Sequence, residues 1–280
     1  MKDKKSKKEK RITRMAVDYT ASKNMYKQSQ KNQNFQKNKT TIFLGKILVV
    51  IVGLIVAIIL VFVSGVFDIT EINVEGNSYI SAEQIISFSG IELNSNLFSV
   101  SKKDVSNRIK DNSYVEDVKI KKEFPNKIKI IIDERKTAYC LEIASGFAYV
   151  DKNGYILELS SVKPQVPILM GISTDLTNIK PNDRLNNSDL LKMNMAMKIM
   201  DVAKSTDFAN LITRIDISNS NNYTIYLETV SKVVYLGNGS DLNTKMLYAK
   251  AIVKANEGKS GEIVLNIDLN SENPFFRENI

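Results

Sequence analysis

Large apolar residues are sparse over the first forty positions, continuous from Ile47 to Phe67, and periodic from there to the end. The continuous run (ILVVIVGLIVAIILVFVSGVF) holds 21 uncharged residues. As a helix at ~1.5 Å per residue it measures roughly 31 Å, the thickness of a bilayer's hydrocarbon core. Its apolar side chains surround the helix, so it does not fit a soluble core in which one face meets water. It is also longer than the roughly 7–15-residue apolar stretch of a cleaved signal peptide, and it begins 46 residues into the chain. The pattern predicts one membrane-spanning helix, over about residues 42–66.

Past the run the period changes twice. Ile69, Ile72 and Val74 mark a strand that Gly76-Asn77 ends. Ser81-Ala82-Glu83-Gln84 has the capping-box form and Gly90 stands where a helix C-terminal glycine belongs, which predicts a short helix over Ser81 to Ser89. Ser101 and Asp104 open a second helix with Val105 and Ile109 on one face. The period then becomes two: Val118 and Ile120 alternate with Lys119 and Lys121, and after Phe124-Pro125-Asn126 the residues Ile128, Ile130 and Ile132 alternate with Lys127, Lys129 and Ile131. This is a hairpin with one apolar face for the helices to cover. Its outward face carries Lys119, Lys121, Lys127 and Lys129, either as a solvated surface or as a contact for anionic headgroups or wall polymers.

From Thr137 the pattern is mostly strands. Asn153-Gly154 predicts a hairpin between Phe147–Val150 and Tyr155–Leu159. A helix is expected over Asn187 to Ser205, with Leu190, Met193, Met197 and Met200 on its core face, and strands at Ile212–Ile217, Tyr223–Glu228 and Lys232–Leu236. Leu242, Met246, Ala249 and Val253 mark a last helix, and Glu262–Leu269 a last strand with Ile263, Leu265, Ile267 and Leu269 on one side. The fold class is α+β: a single-pass helix, a β-α-α-β-β domain over 67–136, and a mostly-β domain over 137–269 with two to three helices, followed by a short tail over 270–280.

Charge orients the span. Residues 1–46 hold 14 Lys or Arg against 3 Asp or Glu, whereas the whole chain is only +8. The basic flank is expected in the cytoplasm and the C-terminal part outside, as a type II protein of the cell membrane. Residues 1–41, rich in Lys, Asn, Gln and Ser, are expected to be a disordered cytoplasmic tail. It serves as a topogenic flank, with anionic lipid or nucleic acid as weaker alternatives.

The chemistry is bounded by what is missing. The chain has no His and one Cys, which removes His-assisted nucleophiles, His-bearing zinc sites and any intramolecular disulfide. Ser99-x-x-Lys102 and Ser160-x-x-Lys163 match a penicillin-binding motif without its Lys-Thr-Gly companion. Gly237-x-Gly239 lacks a third glycine, Asp133 and Glu134 face opposite sides of a strand, and Cys140 fits a small buried hydrophobe. No catalytic residue, cofactor or metal ligand is expected.

One family resemblance fits the whole order. Phe67-Asp68-Ile69, Ile72-x-Val74-x-Gly76-Asn77, Asn96-Leu97-Phe98, Phe124-Pro125-x-x-Ile128 and Asp133-Glu134-Arg135 resemble the POTRA domain of the FtsQ/DivIB family of bacterial cell-division proteins. Val150-Asp151-x-x-Gly154, Pro167-x-x-x-Gly171, Val234-Tyr235-Leu236-Gly237 and Ile267-Asp268-Leu269 resemble its later strands. Lys136 departs from the proline that commonly follows Glu-Arg in the family. The resemblance implies a non-catalytic scaffold at the division septum, bound to small bitopic proteins of the FtsB/DivIC and FtsL kinds. It implies docking on the last helix, at Lys245 and Tyr248, and on the last strand, at Glu262, Ile263, Val264, Leu265, Asn266, Ile267, Asp268 and Leu269. A POTRA-bearing translocation component and a membrane-tethered wall enzyme are the other classes left open.

Overall fold

The computed structural model describes residues 2–279. Helix α1 (Lys2–Val63) contains the apolar stretch Phe43–Val63, which is long and apolar enough to cross a membrane. It ends four residues before the uncharged run does, because Gly65 takes a left-handed φ of 75° that a helix cannot continue through. Upstream, the backbone is helical back to Lys2, where composition predicts disorder. No Pro or Gly interrupts residues 2–44, and Lys, Gln, Met and Ala all propagate a helix readily.

The chain from Asp68 onward forms a second compact unit. Its first part is β1 (Glu71–Glu75), α2 (Ala82–Ser89), a 3-10 turn at Leu97–Ser99, α3 (Lys102–Lys110), β2 (Val115–Glu123) and β3 (Lys127–Glu134). Ser81 and Gln84 close the predicted capping box on α2, and Gly90 ends the helix in the left-handed region. The sheet order is β1-β3-β2, with β1 parallel to β3. Ile85, Val105 and Ile109 of the helices are buried along with Val118, Ile120, Ile128, Ile130 and Ile132 of the hairpin.

The second part is a nine-stranded sheet: β4 (Thr137–Ile143), β5 (Gly146–Asp151), β6 (Ile156–Ser160), β7 (Ile168–Met170), β8 (Arg214–Asp216), β9 (Tyr223–Leu227), β10 (Lys232–Gly237), β11 (Gly261–Val264) and β12 (Phe275–Glu278). Their spatial order is β12-β11-β10-β9-β8-β7-β4-β5-β6. Helices α4 (Asn187–Ser205) and α5 (Leu242–Ala255) pack Met193, Ala196, Ile199, Met246 and Ala249 into the core that the sheet supplies with Ile215, Ile225, Val234 and Ile263.

Two expectations are corrected. The last strand does not run over Glu262–Leu269; β11 stops at Val264, and Asn266 and Asp268 lie in the loop beyond it. Nor are residues 270–280 merely a tail, since Phe275–Glu278 return as β12 and pair antiparallel with β11. The period-two signal of Ile267 and Leu269 continues past the strand because both remain half-buried in the loop.

Candidate functional site

A sheet edge exposes unpaired N–H and C=O groups, so an edge left open is a place where another strand can add. At one end of the nine-stranded sheet the start of the edge strand β6 is covered. Ser113 Oγ donates to Leu157 O at 2.5 Å, and Ile156 N donates to Asp183 O while its carbonyl accepts from Asn182 N. Tyr79 and Tyr114, stacked at 4.2 Å, both donate their hydroxyls to Glu158. Burial, with Tyr79 and Glu158 beside it, pushes the Tyr114 phenol well above its ordinary range, so it remains a donor.

The other end is β12. In β11 the amides of Gly261 and Leu265 donate toward β10, to Ser231 O and Tyr235 O, so Glu262 and Val264 turn their main-chain groups to β12. Their partners Arg277 and Phe275 therefore face inward, and the N–H and C=O of Phe276 and Glu278 face away from the sheet.

Several contacts seat β12. Arg277 pairs with Glu262 at 3.1 Å, Glu278 with Lys259 at 2.8 Å, and Asn279 N donates to Ser260 O at 3.0 Å. Phe276 turns inward against the core, with the Lys232 ammonium 5.7 Å from its ring centre. Lys232 is itself buried and donates to Lys259 O and Val230 O. Gly261 makes the close approach possible, since a Cβ there would collide with Arg277 O and the Phe276 ring.

The structure divides the expected docking residues. Ile263, Val264 and Leu265 are buried, and Glu262 is half-buried with its carboxylate shared between Tyr235 and Arg277. Lys245 is buried too; its ammonium donates to Leu236 O at 2.7 Å, and burial holds it below the usual lysine range. Tyr248, Asn266 and Asp268 are exposed, and Ile267 and Leu269 half-exposed. The edge expected at Glu262–Leu269 is thus occupied on both sides, and the open one lies one strand further out. That edge is formed by Phe275, Phe276, Arg277 and Glu278, whose one sequence signal is an aromatic pair just after Pro274.

The four hairpin lysines do share one face, though not as a uniform cationic patch. Lys129 pairs with Glu75 at 2.6 Å and Lys127 with Glu71, both acids lying on the parallel neighbour β1. Lys119 and Lys121 stay exposed. The sequence concealed this because strand β1 lies more than fifty residues from β3.

The remaining polar motifs are structural. Both Glu134 carboxylate oxygens accept main-chain amides, from Ser78 and Tyr79 at 2.9 and 2.7 Å and from Ile80 at 2.9 Å. Arg135 meets Asp151 at 2.7 Å with both side chains largely buried, and its guanidinium lies 3.9 Å from the Tyr155 ring centre. Asp151 Oδ1 also accepts from Asn153 N and Tyr155 N. Cys140 is buried, and burial pushes its thiol up to about 11, which suits a packing residue and not a nucleophile. Among the described residues no group of three or more Asp, Glu or Cys side chains is placed to hold a metal ion.

Residues 67–135 match the family model of the POTRA domain, FtsQ-type. A cell division protein DivIB from Clostridium botulinum (strain Hall) is 28% identical over 200 residues, covering 70% of this chain and 76% of that protein. A DivIB from Clostridium tetani is 26% identical over 191 residues, covering 68% and 71%. A DivIB from Bacillus cytotoxicus is 33% identical over 130 residues, covering 46% and 47%.

Proposed function

We propose, given that the chain belongs to the FtsQ/DivIB family of cell division proteins, that it acts in division as a non-catalytic membrane scaffold which binds a partner by strand addition at β12. The observation that carries this reading is the asymmetry of the nine-stranded sheet: the start of β6 is covered by Ser113 and by the Asn182–Asp183 loop, while Phe276 and Glu278 of β12 turn main-chain groups outward. The partners are small bitopic division proteins of the FtsB/DivIC and FtsL kinds, as the family resemblance implies. Leu247 and Tyr248, exposed on α5, and Phe275, exposed on β12, offer apolar contacts on the same structure. The basic flank before the span keeps the N-terminus in the cytoplasm, so the unit from Asp68 lies outside and couples assembly at the septum to wall synthesis.

Proline at an edge position removes an outward N–H and places a ring in the path of an added strand. Glu278→Pro keeps every bond between β12 and β11, because the Glu278 amide does not face β11. Its ion pair with Lys259 is exposed and worth little. In co-purification with a DivIC-like protein, Glu278→Pro should fold and lose the partner, while Glu278→Ala should fold and retain it. A folded Glu278→Pro that still binds would place docking elsewhere. Peptidoglycan cleavage or transfer by the purified protein would overturn the non-catalytic reading.

A further inference from the structure

Leu93, Phe98 and Phe124 are large apolar side chains 57%, 45% and 64% exposed; Leu93 and Phe98 lie on the connection between α2 and α3, and Phe124 on the turn between β2 and β3, two segments that meet at one place. Those loops are held by the first three residues of the external unit. Asp68 bridges Asn96, Ile69 N donates to Ser95 O at 2.9 Å, Ile69 O accepts from Asn94 N at 2.8 Å, and Thr70 N donates to Asn126 O at 3.0 Å. Leu93 and Phe98 flank the Asn94–Asn96 segment, and Phe124 stands two residues before Asn126. The Phe98 and Phe124 rings pack 5.7 Å apart.

Cations accompany them. Lys122 lies 6.0 Å from the centre of the Phe98 ring. It is in phase with Val118 and Ile120, so it points toward the helix-covered face at the end where that cover runs out. Lys102, the first residue of α3, is close enough to repel it; burial first, and the Lys102 charge second, hold the Lys122 ammonium below the ordinary lysine range. The acids beside this tip are Glu123, which stands opposite Lys127 across the hairpin, Glu92, next to Leu93, and Asp68, bridged to Asn96.

The covalent chain limits where the tip can go. The apolar stretch ends at Val63 and Asp68 follows five residues later. At no more than about 3.6 Å per extended residue, Asp68 stays within roughly 18 Å of the end of the span. Exposed Phe and Leu side chains with lysines beside them are the mixture by which a surface segment seats at the headgroup boundary of an anionic bilayer.

We infer that Leu93, Phe98 and Phe124, with Lys102 and Lys122, form a second membrane contact that seats in the headgroup region of an anionic bilayer. The contact is distinct from the hairpin lysines and rests on the membrane span, not on the division reading.

The chain has no tryptophan, so one introduced indole reports from one place. Phe98→Trp, Phe124→Trp and, as a distant control, Leu191→Trp are each made in the full-length protein. Leu191 is 73% exposed on α4. The proteins are reconstituted in vesicles of phosphatidylglycerol and phosphatidylcholine containing lipid spin-labelled near its carbonyls. The Phe98→Trp and Phe124→Trp indoles should emit to the blue of the control and be quenched at least about twofold more strongly by the labelled lipid, as expected for a ring at headgroup depth. Lys102→Gln with Lys122→Gln should reduce that quenching in these vesicles and leave it unchanged in phosphatidylcholine alone. Quenching by aqueous iodide equal to the control, with none from the labelled lipid, would overturn the contact. Insensitivity to the double lysine change would overturn its electrostatic half.

Discussion

Asp189 is the most heavily bonded carboxylate among the described residues, and no periodicity in its sequence neighbourhood marks it. It is fully buried at the start of α4 and accepts the Ser173 and Thr174 amides at 2.9 and 2.7 Å and their hydroxyls at 2.9 and 2.6 Å. Burial pushes its carboxyl up, but the bonds from Thr174 and Ser173 outweigh burial and leave it below the ordinary carboxylate range. A group whose folded pKa lies below its unfolded value of ~3.9 stabilises the fold above that value and loses this contribution as the pH falls through the folded one. Asp189→Asn should therefore cost about 2–3 kcal/mol at neutral pH by leaving buried donors without an acceptor. It should also flatten the fall in stability below about pH 4 that the parent shows. Urea unfolding of the two proteins across that range checks both. The residues that anchor Asp189 lie fifteen and sixteen positions upstream, in a loop no periodicity can place. Cys140, in contrast, was legible, because burial of a small apolar residue follows from its own chemistry; the stripe expected on α4 was legible only in part, since Met193 is buried but Leu190, Met197 and Met200 are half-buried beside a core face of Ala196, Ile199 and Ala203.

At the scale of elements, legibility followed the length of the period. Helix α4 matched its expected bounds, and α2 its capping box, since a helix repeats its signal over several turns. The β2 and β3 hairpin was equally clear, with five alternating isoleucines and valines on its inner face. Strand β12, four residues long with one inward side chain, has too little period to see, and β11 was read too long because Ile267 and Leu269 continue the alternation into a loop. The candidate site suffered most, because an edge is a property of the strand that lies last in space and not in sequence. Gly261 tests the seat of β12. Gly261→Ala should loosen β12 without unfolding the sheet, because the nearest atoms to the added Cβ, Arg277 O and the Phe276 ring, both belong to β12. Trypsin should then cut after Arg277 at least about tenfold faster, as expected if local opening becomes easier by ~1.4 kcal/mol. An unchanged rate would mean that the strand shifts to absorb the methyl group.

For the whole molecule, the motif Asp133-Glu134-Arg135 proved to be a junction. Glu134 gathers the amides before α2, Arg135 reaches the turn after β5 through Asp151, and Ser113 and Tyr114 reach β6. The POTRA segment and the nine-stranded sheet therefore form one compact unit, which composition alone could not show because the bonds join residues up to eighty positions apart. One of these bonds, from Ser113, takes up a carbonyl at the start of the edge strand β6, and that has a numerical consequence. A sheet with two open ends can recruit two strands and grow into a filament; with the start of β6 covered, β12 is the one end at which we propose that a strand adds. Each chain should saturate with one partner peptide at this edge, and isothermal titration with a DivIC-like peptide should give a stoichiometry near one with no second, weaker phase. A second copy of the chain would compete for the same edge, so in the absence of partner any self-association through it should stop at pairs.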